Sequence, residues 1–72
     1  MQDEVLVIGL GRIGLPVALV TADSGLVVRG VDASEVSIAS LKEKKAPFEE
    51  PGLSELIENH SGNNFLPMTW DD

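Results

Sequence analysis

Apolar residues along this chain alternate between short, mostly apolar runs and stripes spaced by three and four. Val5, Leu6, Val7 and Ile8 form the first run, residues 26–31 the second and residues 65–69 the third, and each reads as a strand. Between the first two, Ile13, Val17 and Val20 together with Leu15, Ala18, Leu19 and Ala22 recur at helical intervals. They predict a helix with a broad buried face, closed at Asp23-Ser24-Gly25 by a glycine cap. Pro16 falls in the first turn of that helix, where N–H groups have no intrahelical partner, so it does not break it. Ala33-Ser34 then caps a second helix over residues 35–44, with Val36, Ala39 and Leu41 facing inward. Lys42, Lys44 and Lys45 at its end complement the helix dipole without any ligand. Pro47 and Pro51-Gly52 frame a loop, and Pro51 suits the first position of a short third helix with a Leu53, Leu56, Ile57 stripe, ending near Asn59. Ser61-Gly62-Asn63-Asn64 is a turn into the last run. Strands alternating with helices predict an α/β fold with a parallel sheet.

The first connection narrows that picture. Gly9-Leu10-Gly11-Arg12-Ile13-Gly14 follows a strand, opens a helix, and is answered by an acid, Asp32, eighteen residues after Gly14 at the end of the next strand. Gly9 has to turn the chain sharply, Gly11 has to let a pyrophosphate approach the backbone, and Gly14 has to let the helix lie close to the sheet. The free N–H groups near Gly11 to Ile13, reinforced by the helix dipole, then face a diphosphate. Asp32 is placed to accept the adenosine ribose hydroxyls, and its charge opposes a 2′-phosphate, which favours NAD over NADP. Capping of the next helix is the other role open to Asp32. The expected fold is therefore the first βαβ half of a Rossmann-type doubly wound parallel sheet, truncated: residues 1–72 supply only part of an NAD-binding domain. The exposed flank of so small a sheet needs covering by further strands, by helices or by another chain.

Composition removes other classes. Twelve acids against five bases give a net charge of −7, which argues against nucleic acid as a partner. No run of eighteen apolar residues is present, so no membrane partner is expected, and Asp3 and Glu4 stand where a signal peptide would carry lysine or arginine. Cytoplasmic residence is the default that follows. There is no cysteine, hence no disulfide or thiolate metal site in this piece. His60 has no companion ligands and reads as a surface or helix-end residue, and no metal is expected. Arg12 admits both a phosphate contact and a solvated surface role, while Glu49 and Glu50, adjacent in a loop, do not form a catalytic carboxylate pair.

Two further segments give the chain a family likeness. The stretch Val7-Ile8-Gly9-Leu10-Gly11-Arg12-Ile13-Gly14-Leu15-Pro16-Val17-Ala18, then Gly30-Val31-Asp32, then Pro47-Phe48-Glu49-Glu50-Pro51-Gly52-Leu53, resembles the N-terminus of the UDP-glucose/GDP-mannose dehydrogenase family, which includes UDP-N-acetylmannosamine dehydrogenases. The resemblance implies an NAD-dependent, two-step oxidation of the C6 alcohol of a UDP-sugar to a carboxylate, through a covalent intermediate on a cysteine assisted by lysine, asparagine and aspartate. None of that machinery can be placed on this chain, so its 72 residues alone are expected to be inactive. The cofactor site carries over to Gly9, Gly11, Ile13, Gly14 and Asp32. Many members have an aromatic residue where this chain has Arg12. The resemblance also implies a homodimer for the full-length protein. Two other readings use the glycine loop and Asp32 alone: an NAD-sensing regulatory module, and a 3-hydroxyacyl-CoA or 6-phosphogluconate type dehydrogenase. Neither accounts for the proline-framed segment.

Overall fold

A computed structural model describes residues 3–72, which form β1 (Glu4–Ile8), α1 (Gly14–Asp23), β2 (Val27–Val31), α2 (Glu35–Lys42), α3 (Leu53–His60) and β3 (Phe65–Met68). The strands make one parallel sheet in the order β1-β2-β3. Register is fixed by Val7 opposite Gly30 and Gly30 opposite Pro67. This is the α/β, Rossmann-type unit expected from the sequence, with a helical crossover between each pair of parallel strands.

One face of the sheet carries the core. Leu15 and Leu19 of α1, Ile38 and Leu41 of α2, and Leu53 and Ile57 of α3 join Val28 and Phe65 of the sheet in a single buried cluster. Val5 and Val7 pack half-buried against it, whereas Leu6 and Ile8, alternating with them on β1, point to the other face and are exposed. That second face also holds the Arg29–Glu4 ion pair, 2.7 Å between Nε and Oε1. Among the described residues, no helix is long and apolar enough to cross a membrane.

Each helix departs from its expectation in some respect, α3 because it starts at Leu53 with Gly52 as its N-cap, so that Pro51 lies before the helix and not at its first position. In α1 only the Leu15, Ala18, Leu19, Ala22 stripe is buried; Ile13, Val17 and Val20 are 81%, 53% and 61% exposed. At about 100° per residue those three fall on the side opposite the buried stripe, and the sheet covers only one side. In α2 the inward residues are Ile38 and Leu41, while Val36 and Ala39 are exposed. The same helix ends at Lys42 rather than Lys44, because Lys44 takes a left-handed φ of 61°. Its N–H and that of Lys45 close on the carbonyls of Leu41 and Ser40, at 3.0 and 2.8 Å, in a Schellman arrangement. The glycine closure expected for α1 is present, with Gly25 at φ 105° donating to the Ala22 carbonyl at 3.0 Å.

Candidate functional site

The chain leaves β1 through Gly9, whose φ of 90° a side chain would resist, and the Gly9 N–H donates to the Val31 carbonyl at 2.7 Å. The loop is thereby tied to the end of β2. Leu10 turns inward and is buried. It occupies space left by Gly30, where a Cβ would come within 2.9 Å of Leu10 Cδ2 and 2.8 Å of Phe65 Cε1. With its side chain anchored, Leu10 directs its N–H onto Asp32 Oδ2 at 2.7 Å.

Asp32 therefore faces the glycine loop. Its other oxygen, Oδ1, accepts from the Ser34 N–H at 2.8 Å. The hydrogen bond from Leu10, then that from Ser34, holds the carboxyl below its ordinary value, against a smaller opposing effect of burial. The group is ionised at neutral pH and each oxygen retains accepting capacity. Capping of α2 falls to Ser34, whose hydroxyl accepts from the Ser37 N–H at 3.2 Å.

Gly14 begins α1 so close to the loop that a Cβ there would lie 1.9 Å from the Gly9 carbonyl oxygen. Gly11 is the opposite case: a Cβ would meet nothing within 4 Å, so the space in front of it is open. The first helical bonds run from the Leu15 N–H to the Gly11 carbonyl and from Val17 to Ile13, at 3.0 and 3.2 Å. Among the described residues, the N–H groups of Gly11, Arg12, Ile13 and Gly14 donate to no acceptor. The structure thus brings Gly9, Gly11, Ile13, Gly14 and Asp32 to one mouth at the ends of β1 and β2. Four free donors on one side of it and an ionised carboxylate on the other suit a ligand with a diphosphate and an adjoining diol.

Elsewhere, Glu49 and Glu50 remain exposed in the loop before α3. His60, the last residue of α3, is held by Asp23 and Asn64. The residues that sequence reasoning missed are Leu10 and Gly30, which orient the Asp32 carboxylate. A glycine inside a strand is itself a signal of close approach by another part of the chain. Also missed was the placement of the Arg12 guanidinium over the Phe48 ring, 5.0 Å from its centroid, joining the glycine loop to the proline-framed segment.

A strand, glycine turn, helix and acid-ended second strand arranged in this way define a dinucleotide-binding unit of the Rossmann class. Residues 3–71 match the UDP-glucose/GDP-mannose dehydrogenase family, NAD binding domain, and the chain belongs to that family. It is 39% identical over 66 residues to the UDP-glucose 6-dehydrogenase AglM of Haloferax volcanii, covering 92% of this chain and 15% of that relative. With a UDP-N-acetyl-D-mannosamine dehydrogenase of Methanococcus vannielii the identity is 46% over 55 residues, covering 76% of this chain and 13% of the relative. Among solved structures, the UDP-N-acetyl-mannosamine dehydrogenase Cap5O of Staphylococcus aureus superposes with a TM-score of 0.86 at 36% identity, over 92% of this chain and 16% of the other. The chain thus spans about 15% of the length of the Haloferax relative.

Proposed function

We propose that this chain is the N-terminal, NAD-holding part of a dehydrogenase that oxidises the C6 alcohol of a UDP-sugar to a carboxylate, with Gly9, Gly11, Ile13, Gly14 and Asp32 forming the cofactor site. The observation that carries the proposal is the Leu10 N–H to Asp32 hydrogen bond, 2.7 Å, which sets the acidic acceptor and the free amides of the loop at one opening. The amides of Gly11, Arg12, Ile13 and Gly14, at the positive end of α1, hold the diphosphate. Gly11 lets it reach them, since no side chain stands in the open space before it. Asp32, kept ionised, accepts the ribose hydroxyls through its remaining lone pairs and repels a 2′-phosphate. NAD, when bound, would supply the hydride acceptor, one equivalent for each of the two successive oxidations that carry the alcohol to the carboxylate. The family resemblance also supports a homodimeric full-length enzyme whose cysteine-centred chemistry lies on other segments, and cytoplasmic residence is the expectation from the acidic residues Asp3 and Glu4 before the first apolar run. The family match runs through residues 46–53, which favours this reading over an NAD-sensing module or another dehydrogenase class.

Titrating the purified chain with NAD and with NADP, followed by the fluorescence of its single tryptophan, Trp70, or by NMR, tests the assignment. NAD is expected to bind at least about tenfold tighter than NADP, because a phosphate facing a fixed carboxylate is strongly disfavoured. Equal affinities remove the role given to Asp32, and binding of neither dinucleotide overturns the site.

A further inference from the structure

Arg12 stands between Gly11 and Ile13, in the middle of the loop whose amides are free, and its side chain is engaged by no acid. The described residues form ion pairs through Arg29, Lys42, Lys45 and His60, and Arg12 takes part in none of them. Its guanidinium lies instead over the Phe48 ring, although Glu49 and Glu50 follow that residue directly. A cation over an aromatic face at an exposed site is weakly held. The forked, charge-assisted bond that a guanidinium makes to a phosphate is among the stronger hydrogen bonds available to a side chain.

The charge around the mouth gives this arrangement a purpose. The chain carries −7 overall, and Asp32 and Glu35 flank the end of β2 while Asp71 follows β3. Of the other basic residues, Arg29 is paired to Glu4 on the far face of the sheet, Lys42 to Asp72, and Lys44 and Lys45 lie beyond the end of α2. A dianionic diphosphate approaching this mouth meets a field of its own sign. Backbone amides and a helix dipole supply only partial positive charge. Arg12 is the one full positive charge in the glycine loop.

We infer that Arg12 is the movable counter-ion of the cofactor's diphosphate, resting on Phe48 until a diphosphate is present and then turning onto it. The inference rests on the NAD site proposed above. It differs from a fixed brace between the two loops, in which Arg12 would act only by holding Phe48.

The test uses the whole chain in four forms: unaltered, Arg12→Ala, Arg12→Lys and Phe48→Leu, the last retaining apolar packing. Each is first compared by circular dichroism, then titrated with NAD and with adenosine, which carries no phosphate, at low and at high salt. Arg12→Ala is expected to weaken NAD about tenfold at low salt and to flatten its salt dependence, leaving adenosine unchanged. Arg12→Lys should keep most of the salt dependence and lose part of the affinity. Phe48→Leu should leave NAD binding unchanged or tighten it slightly. Unaltered NAD affinity in Arg12→Ala overturns the inference while leaving the NAD site standing. So does an equal loss of NAD and adenosine, or a Phe48→Leu loss matching that of Arg12→Ala, since each is the mark of a brace. An unaltered chain that binds adenosine but not NAD overturns the diphosphate site and the role of Arg12 together.

Discussion

Gly14 and Gly11 sit three positions apart and meet opposite surroundings. A methyl group at position 14 would press against the Gly9 carbonyl at 1.9 Å, a backbone atom that cannot swing aside. Gly14→Ala is therefore expected to cost about 3 kcal/mol or more, by forcing α1 off the sheet. Gly11→Ala meets no neighbour and should leave stability within about 0.5 kcal/mol, or raise it slightly through the stiffer unfolded chain. The same methyl group should weaken NAD binding, because it fills the space a diphosphate would use. Urea denaturation and an NAD titration of both variants check the pair; a Gly11→Ala chain that binds NAD as the unaltered one does would remove phosphate approach from that position. These glycines and Asp32 were legible in the sequence because backbone geometry alone imposes their spacing. Leu10 was not, since the hole it fills is made by Gly30 and bounded by Phe65, residues that meet it only through the register of three strands.

The elements were legible in kind but not in facing. A period of three and four located α1 and α2, yet α1 is apolar on two opposite sides, and periodicity does not say which side meets a sheet. Val36 and Leu41 differ by roughly 140° around a helix, so a reading that pointed both inward mixed two faces. The end of α2 was hidden because Lys44 takes a left-handed conformation without being glycine. At the other end of the sheet, His60 joins three elements: Nε2 lies 2.9 Å from Asp23 Oδ1 of α1, and Nδ1 lies 2.8 Å from Asn64 Oδ1 in the turn before β3. The Asn64 amide is oriented by its Nδ2, which donates to the Ala22 and Leu26 carbonyls at 2.7 and 3.0 Å. Both ring nitrogens thus face acceptors, and the ring is best satisfied when doubly protonated. The bonds to Asp23 and then Asn64 raise the His60 pKa above its ordinary 6.5, with burial opposing. Asp23 is the charged group that faces the ring. A raised folded-state pKa stabilises fully below the unfolded value and is lost as pH rises through the folded one. Stability should accordingly fall as pH climbs above 6.5, and His60→Gln should flatten that fall while costing most below it. Denaturation midpoints between pH 5 and about 9 decide this, and parallel curves for the two chains would exclude His60 as the source.

At the scale of the whole molecule, a Cα radius of gyration of 10.8 Å is close to the roughly 11 Å expected of a compact domain this long. Compactness is reached with one layer of helices on one face of three strands, and a chain of this size has a total stability of about 4–11 kcal/mol. Every large side chain in that single layer therefore counts. Leu19 and Val20 are neighbours on α1, the first fully buried and the second 61% exposed. Leu19→Ala should cost about 2–5 kcal/mol through lost burial and a residual cavity, a large share of the whole. Val20→Ala should stay within about 0.5 kcal/mol, since little contact is lost and alanine is the better helix former. Leu6→Thr, on the exposed sheet face, should behave like Val20→Ala. Thermal unfolding at two protein concentrations checks the set. If Val20→Ala or Leu6→Thr proved as costly as Leu19→Ala, and the cost grew with concentration, the exposed stripe or sheet face would be buried in solution by a second copy of the chain, and the one-layer account of its stability would fail.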